Sequence, residues 1–261
     1  MKIIKGIGTN NIFINEDDIE QHYLEFTSDM ENFNMCRNLI QADIENEMLF
    51  ADINICLKSI KPPLTPISYQ LSYNELRKVI NAYLNNLQPF LSIIERKIGK
   101  SSFEEITHSV YEKYTEYQFC YELRNVLQHK GFTIRISIEN NSNIQILIDK
   151  KDLLEDMHIK LKTRELLNSY PEQIELLSEY NGFHRAQCEI FQKSYLKLYD
   201  DKAHERLIDF HTKNTDTQIL CVGDYQSGVD DEGKETIKLN FLHFDKNDIL
   251  ENTQLFKEIQ G

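Results

Sequence analysis

The chain has 261 residues, of which 41% are hydrophobic, 27% charged and 10% aromatic, a composition that excludes a disordered chain, a collagen-like repeat and a membrane-helix bundle. Its 29 Lys and Arg residues against 42 Asp and Glu residues give a net charge of −13, which argues against a protein that binds nucleic acid over its whole surface. The five cysteines lie far apart and never form C-x-x-C, so neither a zinc ribbon nor a disulfide framework is indicated.

Apolar segments of the kind that a membrane span or a secretory signal needs are missing from the sequence. No stretch approaches about 18 apolar residues, and the start of the chain lacks an apolar core of about 7–15 residues. We therefore expect a cytoplasmic protein with reduced thiols and no contact with a membrane.

Residues 1–65 are predicted to form an N-terminal extension of strand and helix. Apolar residues between positions 34 and 60 recur mostly at spacings of three and four, as one amphipathic helix requires. Pro62, Pro63 and Pro66 follow. Because proline is not tolerated in a helix interior, they indicate a stiff connector to the next segment.

Residues 66–200 are predicted to form a helical bundle. A regular apolar stripe predicts a helix over residues 73–98, and Gly99 suits its C-terminal end. The stripe consists of Leu76, Ile80, Tyr83, Leu87, Phe90 and Ile94.

A second helix is predicted from about residue 103 to Gly131. Ser102 and Glu105 have the spacing of a capping box, and a glycine after the last apolar position is typical of a helix end. Because short loops join antiparallel neighbours, the two helices are expected to form a helical hairpin.

The periodicity changes after the second helix. Residues 132–148 contain two runs of alternating or apolar residues around a turn-forming stretch, which predicts a β-hairpin. Two more helices are predicted at about 150–167 and 171–200, with Pro171 in the first turn of the latter. The bundle is therefore interrupted by a short β-hairpin insertion.

Residues 201–261 are predicted to form a small mixed α/β segment. A helix over 202–212 and strands near 217–222 and 236–244 flank a loop rich in glycine and aspartate. The whole chain is thus predicted to be mainly α.

Two patterns that imitate functional motifs have simpler explanations. Gly99, Lys100 and Ser101 resemble the end of a phosphate-binding loop, but the first glycine of that motif would fall inside the preceding helix. His204 and His211 lie two turns apart among acidic residues, and they would form a metal site only if other elements converged there. A charged helix surface is the simpler interpretation of this pair.

The second helix carries an unusual polar face. A helical wheel at about 100° per residue places Phe119, Leu123, Val126 and Leu127 on one side as a buried stripe. A solvent-exposed face normally holds strong helix formers such as Glu and Lys. The opposite face of this helix instead holds hydrogen-bonding side chains that suit a partner, namely Tyr121, Arg124, Asn125, Gln128 and His129.

One part of this face resembles a known family. Arg124, followed by Asn125 and after three more residues by His129, resembles the R-x4-6-H signature of HEPN domains. The run from Leu123 to Gly131 is also similar to HEPN-like bacterial proteins with the sequence L-R-N-x-x-Q-H-x-G. The preceding helix and the following hairpin also fit, so the resemblance covers roughly residues 73–200, about half of the chain.

The resemblance implies a HEPN-like helical bundle that forms a homodimer in which two motifs face each other. The two motifs of such a dimer form one composite endoribonuclease site that uses no metal and no cofactor. RNA is then the implied substrate. The implied biological role is that of a toxin or effector in phage defence or stress response, which rests on family analogy alone.

The resemblance makes Arg124, Asn125 and His129 the candidate catalytic residues. His129 would exchange a proton with the 2′-hydroxyl or the leaving 5′-oxygen, because imidazole titrates near neutral pH. Arg124 would stabilise the charge that develops on the phosphate, since its planar guanidinium matches phosphate oxygens. Asn125 would orient the imidazole or the phosphate by hydrogen bonds.

Tyr121, Gln128 and Lys130 are the candidate substrate-binding residues. Tyr121 would be available to stack on a base. Residues 66–135 contain nine basic and seven acidic residues and form the net positive part of an otherwise acidic chain. Contact with RNA is therefore expected to be local.

A different function class is compatible with the same residues. The alternative is a non-catalytic HEPN-like module that binds RNA or a protein partner through this face. An inhibitory or antitoxin-like protein partner is a further expectation. HEPN toxins paired with nucleotidyltransferase antitoxins carry Tyr two residues after the histidine, where this chain has Gly131, so the resemblance does not extend to that pairing.

Overall fold

A mainly α architecture is observed, as predicted. A computed structural model describes residues 2–7, 16–129, 133–139, 143–155, 161–214, 219–229 and 235–260. These residues form nine helices and two three-stranded antiparallel sheets. A mainly α fold with a short β-hairpin is thereby confirmed.

The elements follow one another in chain order. They are β1 Lys2–Ile7, α1 Glu16–Ser59, α2 Pro66–Ile98, α3 Lys100–Lys113, α4 Thr115–His129, β2 Arg135–Glu139, β3 Asn143–Asp149, α5 Lys150–Leu154, α6 Leu161–Asn168, β4 Gln173–Glu175, α7 Leu176–Leu198, α8 Asp201–Asn214, β5 Ile219–Val229, β6 Glu235–Asp245 and α9 Lys246–Gln260.

The chain divides into two compact units. One consists of Met1–Asn38 and Tyr195–Gly261, and the other of Leu39–Ser194. The first unit combines both ends of the chain because β1 pairs antiparallel with β5. This grouping differs from the three consecutive segments predicted from the sequence, since a pairing between distant strands leaves no local signal.

The unit made of the chain ends contains the sheet β1-β5-β6. In the same unit, Arg206 on α8 contacts α1: its Nε and Nη2 atoms donate to the buried carboxylate of Asp29 at 2.8 and 2.6 Å.

The helix and the two strands predicted within residues 201–261 are observed as α8, β5 and β6, whereas helix α9 was not predicted. In α9, Ile249 and Asn252 are buried and lie on one side of the helix.

Helix α2 in the Leu39–Ser194 unit begins earlier than predicted. Thr65 caps it, because its hydroxyl accepts from the Ser68 amide at 3.1 Å and the Ser68 hydroxyl accepts from the Thr65 amide at 2.8 Å. Pro66 occupies the first turn, where a missing amide proton costs nothing. The whole predicted stripe is buried: Leu76, Ile80, Tyr83, Leu87, Phe90 and Ile94. Helix α1 likewise begins well before the predicted residue 34.

The prediction of one helix from residue 103 to Gly131 is wrong. Helix α3 begins at Lys100 and ends at Lys113, and α4 begins at Thr115, because Tyr114 between them has an extended backbone. The predicted capping box of Ser102 and Glu105 is also wrong, since both residues lie inside α3. Gly99 takes the cap position between α2 and α3 with φ +81°, a value that favours glycine.

The predicted β-hairpin is confirmed as β2 and β3, which pair antiparallel. A third strand, β4, adds to β3 and replaces the predicted start of a helix at Pro171. Helix α7 begins instead after Glu175, whose carboxylate accepts from the Ser178 amide at 2.7 Å. The helix predicted at 150–167 is observed as α5 and α6, and residues 156–160 lie outside the described part.

Within the described residues, no helix combines the length and the apolar character that crossing a bilayer requires.

Glu189 on α7 holds the junction between α3 and α4. Its Oε2 accepts from the Tyr114 hydroxyl at 2.8 Å and from Lys113 Nζ at 2.5 Å, and its Oε1 pairs with Lys193 Nζ at 2.9 Å. Burial raises the pKa of Glu189, but the three partners outweigh this effect and lower the pKa to about 2. The long-range bonds account for the extended backbone at Tyr114.

Replacing Glu189→Gln should reduce stability in a pH-dependent way. A carboxyl whose pKa is lowered by folding stabilises the fold above its ordinary pKa of 4.5, and this contribution is lost as the pH falls toward about 2. At neutral pH the melting temperature of Glu189→Gln should be lower by roughly 2–4 °C, and the difference should shrink below about pH 4. Glu104→Gln, at an exposed pair with Lys100, is the control. Parallel stability curves for wild type and Glu189→Gln would contradict this role.

Candidate functional site

Helix α4 is amphipathic in the way its sequence predicts. Phe119, Leu123 and Val126 are buried, which confirms the predicted inner face, and the Leu127 side chain lies outside the described part. The Phe119 ring stacks on Tyr170 with 5.0 Å between centroids. This packing fixes the rotation of α4 and leaves its polar side half-buried.

Two of the candidate catalytic residues are in contact on the polar side. Arg124 Nη1 donates to Asn125 Oδ1 at 3.4 Å, and Asn125 Nδ2 donates to Glu122 Oε2 at 3.2 Å. Arg124 Nε is buried and has no hydrogen-bond partner among the described residues. The guanidinium is therefore oriented by its neighbour and keeps N–H groups for a ligand.

Glu122, which was not predicted from the sequence, belongs to the same hydrogen-bonded group as Arg124 and Asn125. Its carboxylate holds Asn125 from one turn earlier in the helix. The available signal was the three-residue spacing, at which side chains of a helix are neighbours. The carboxylate also lowers the net positive charge beside Arg124, which matters for an anionic substrate.

Tyr121 faces a cavity of about 690 Å³ among α2, α3 and α4. Its ring lies 6.3 Å from that of Tyr117. Tyrosines and carboxylates share the lining, and they include Tyr111, Tyr117, Tyr121, Glu104, Glu105 and Glu122. The aromatic part suits a flat, uncharged group, whereas the carboxylates disfavour a phosphate at the same spot.

The remaining candidate residues cannot be placed next to Arg124. His129 is the last residue of α4, and the side chains of His129 and Gln128 lie outside the described part. Lys130 follows the helix and also lies outside it. The pairing of Arg124 with His129 therefore stays a prediction.

His204, the alternative metal ligand, has a packing role. Its ring is buried and stacks on Tyr199 with 4.1 Å between centroids, and its Nδ1 lies 3.0 Å from the Asp200 carbonyl oxygen. Burial lowers the pKa of His204, which disfavours the charged form of the ring. The His211 side chain lies outside the described part, and among the described residues no metal-ligand group forms around His204.

A second cluster joins α1 and α7 within the Leu39–Ser194 unit. Glu47, His184 and Cys188 bring their ligand atoms within 4.8 Å of one another. They were not predicted from the sequence, because Glu47 and His184 are far apart in the chain. The one local signal was the four-residue spacing of His184 and Cys188, which places both on one helix face.

The cluster is not suited to thiolate catalysis. Burial first, and then the carboxylates of Glu47 and Asp43, raise the pKa of the Cys188 thiol to about 12. A nucleophilic cysteine needs positive charge nearby to lower its pKa, and here the neighbouring charges are negative.

Comparison of the chain with protein-family models, with curated proteins and with solved structures found no match.

The free energy of unfolding of two variants tests which face of α4 is available to a ligand. Phe119→Ala should lower the free energy of unfolding by about 3–5 kcal/mol, because it removes a buried ring. Tyr121→Ala should cost less than half as much, since that ring is partly exposed at the cavity. Urea denaturation measures both. Equal losses would mean that the polar side of α4 is not an accessible surface.

Proposed function

We propose that the protein is a metal-independent endoribonuclease of the HEPN type, with a composite site made by two copies of α4. The observation that carries the proposal is the position of Arg124. It lies on the half-buried side of an amphipathic helix, held by Asn125, with a donor that has no partner among the described residues. A guanidinium in this setting suits a phosphate.

The end of α4 supports a role for His129 in proton transfer. His129 is the last residue of α4, and imidazole exchanges protons near neutral pH. A protonated imidazole can donate to the leaving oxygen, and its neutral form can accept from the 2′-hydroxyl. RNA cleavage of this kind requires no metal.

The cavity beside Tyr121 supports base binding next to this phosphate site. Its tyrosines offer ring faces on which a base can stack, and its carboxylates accept from exocyclic amino groups. The phosphate would bind at Arg124, whose positive charge has to outweigh the negative charge of the neighbouring Glu122 carboxylate. Such a division of one nucleotide between two surfaces favours single-stranded RNA, since only unpaired bases can enter the cavity.

Cleavage of RNA by purified protein in EDTA tests the proposal. Arg124→Ala and His129→Ala should each reduce the cleavage rate by at least about 100-fold, because each removes a group that acts on the reacting phosphodiester. Arg77→Ala, at an exposed position on α2, should leave the rate unchanged and serves as the matched control. Wild-type protein without cleavage, or variants as active as wild type, would contradict the proposal.

One observation favours a non-catalytic interaction module that uses α1, and not the polar face of α4, as its contact surface. Ile44, Met48 and Ile55 lie along one side of α1 and are 46%, 63% and 64% exposed. Their four- and seven-residue spacing is that of a helix–helix seam, and exposed apolar rows mark interaction surfaces. Intact RNA with wild-type protein, combined with self-association that Met48→Glu abolishes, would favour this module over the nuclease.

A further inference from the structure

Glu47, His184 and Cys188 are arranged like the ligands on one face of a tetrahedral metal site. His184 Nε2 lies 3.0 Å from Glu47 Oε1, and Cys188 Sγ lies 3.5 Å from Glu47 Oε1 and 3.7 Å from His184 Nε2. Tetrahedral zinc with ordinary bond lengths separates N and O ligands by about 3.4 Å, and a sulfur from either by about 3.6 Å. The three observed distances are within half an ångström of this pattern.

A chain of buried hydrogen bonds orients the histidine of this cluster. Tyr83 OH donates to Gln187 Oε1 at 2.5 Å and lies 3.2 Å from His184 Nδ1. Because a hydroxyl has one proton, Tyr83 can only accept from His184, so Nδ1 carries the proton. Nε2 is then the nitrogen that faces Glu47 and Cys188, as metal ligation requires.

Further contacts make this a built site and not a chance meeting of side chains. Gln187 Nε2 donates to Asn46 Oδ1 at 3.2 Å, and both residues are fully buried. The Phe50 ring stacks on His184 with 3.9 Å between centroids and 11° between planes. Ligating histidines are typically held in this way by a partner on the other ring nitrogen.

An acidic side chain beside the cluster is placed to interact with a bound cation. Asp43 lies one turn before Glu47 on α1, and its Oδ1 is buried without a hydrogen-bond partner among the described residues. The ligand types also limit the ion. A thiolate with an imidazole suits zinc and similar transition metals, whereas magnesium and calcium prefer oxygen ligands alone.

We infer that Glu47, His184 and Cys188 bind one divalent transition-metal ion of the zinc class. The ion lies between His184 Nε2, which carries no proton in the neutral ring, and Glu47 Oε1, and the Cys188 thiol releases its proton on binding. The ion bridges α1, which carries Glu47, and α7, which carries His184 and Cys188. This site is independent of the proposed RNA cleavage, which uses no metal.

Metal binding to the purified full chain tests the inference. After treatment with EDTA and removal of the chelator, wild-type protein should bind one equivalent of Zn²⁺ in competition with a coloured chelator. Co²⁺ in its place should give the near-ultraviolet charge-transfer band of a cobalt–thiolate bond. Cys188→Ser should lose this band and bind Zn²⁺ at least about tenfold more weakly.

Two further variants make the result decisive. Cys56→Ser changes a cysteine on α1 outside the cluster and should bind both ions like wild type. Glu47→Gln alters a half-exposed side chain, so the fold should tolerate it, and it should also weaken Zn²⁺ binding at least about tenfold. Circular dichroism in EDTA verifies that each variant is folded.

The inference is overturned if wild-type protein binds no stoichiometric Zn²⁺. It is also overturned if Cys188→Ser keeps the cobalt band, or if Glu47→Gln binds Zn²⁺ as tightly as wild type. Cleavage of RNA by the EDTA-treated protein bears only on the proposed nuclease, so the two proposals succeed or fail separately.

Discussion

The Leu39–Ser194 unit depends on a row of buried polar side chains that cross its core. Asn46, Gln187 and Tyr83 are fully buried and are joined by hydrogen bonds, and the row ends at His184. Hydrogen bonds make such burial favourable, because an unpaired buried donor or acceptor costs about 1–3 kcal/mol. Asn46 Nδ2 has no such partner among the described residues. The bonds form in one arrangement of α1, α2 and α7, so they fix the rotation of each helix.

Helix α7 connects this row to the rest of the unit. Tyr180 and Phe183 pack edge-on against Tyr83, so the aromatic core and the polar row meet at the same ring. Glu189, further along α7, fixes the break between α3 and α4. The orientation of Arg124 on α4 and the meeting of His184 with Glu47 are therefore consequences of how one helix is held.

Local features of the chain were predictable, and features that depend on distant residues were not. The stripe of α2, the buried side of α4 and the β-hairpin follow from spacing alone, because each element buries one face. The break at Tyr114 depends on Glu189, and β4 exists because it pairs with β3, so neither has a signal nearby. The contact of Arg124 with Asn125 was not predicted, because successive side chains of a helix point about 100° apart. The meeting of Glu47 with His184 was not predicted either, since two distant helices bring them together.

The protonation of the His184 ring tests this account most directly. Nitrogen-15 NMR of the metal-free protein, with the His184 signals assigned by comparison with His184→Gln, reports which ring nitrogen carries a proton. Since the Tyr83 proton is used by Gln187, the account predicts a proton on Nδ1 whether the ring is neutral or charged. A neutral ring with its proton on Nε2 and a bare Nδ1 would contradict it.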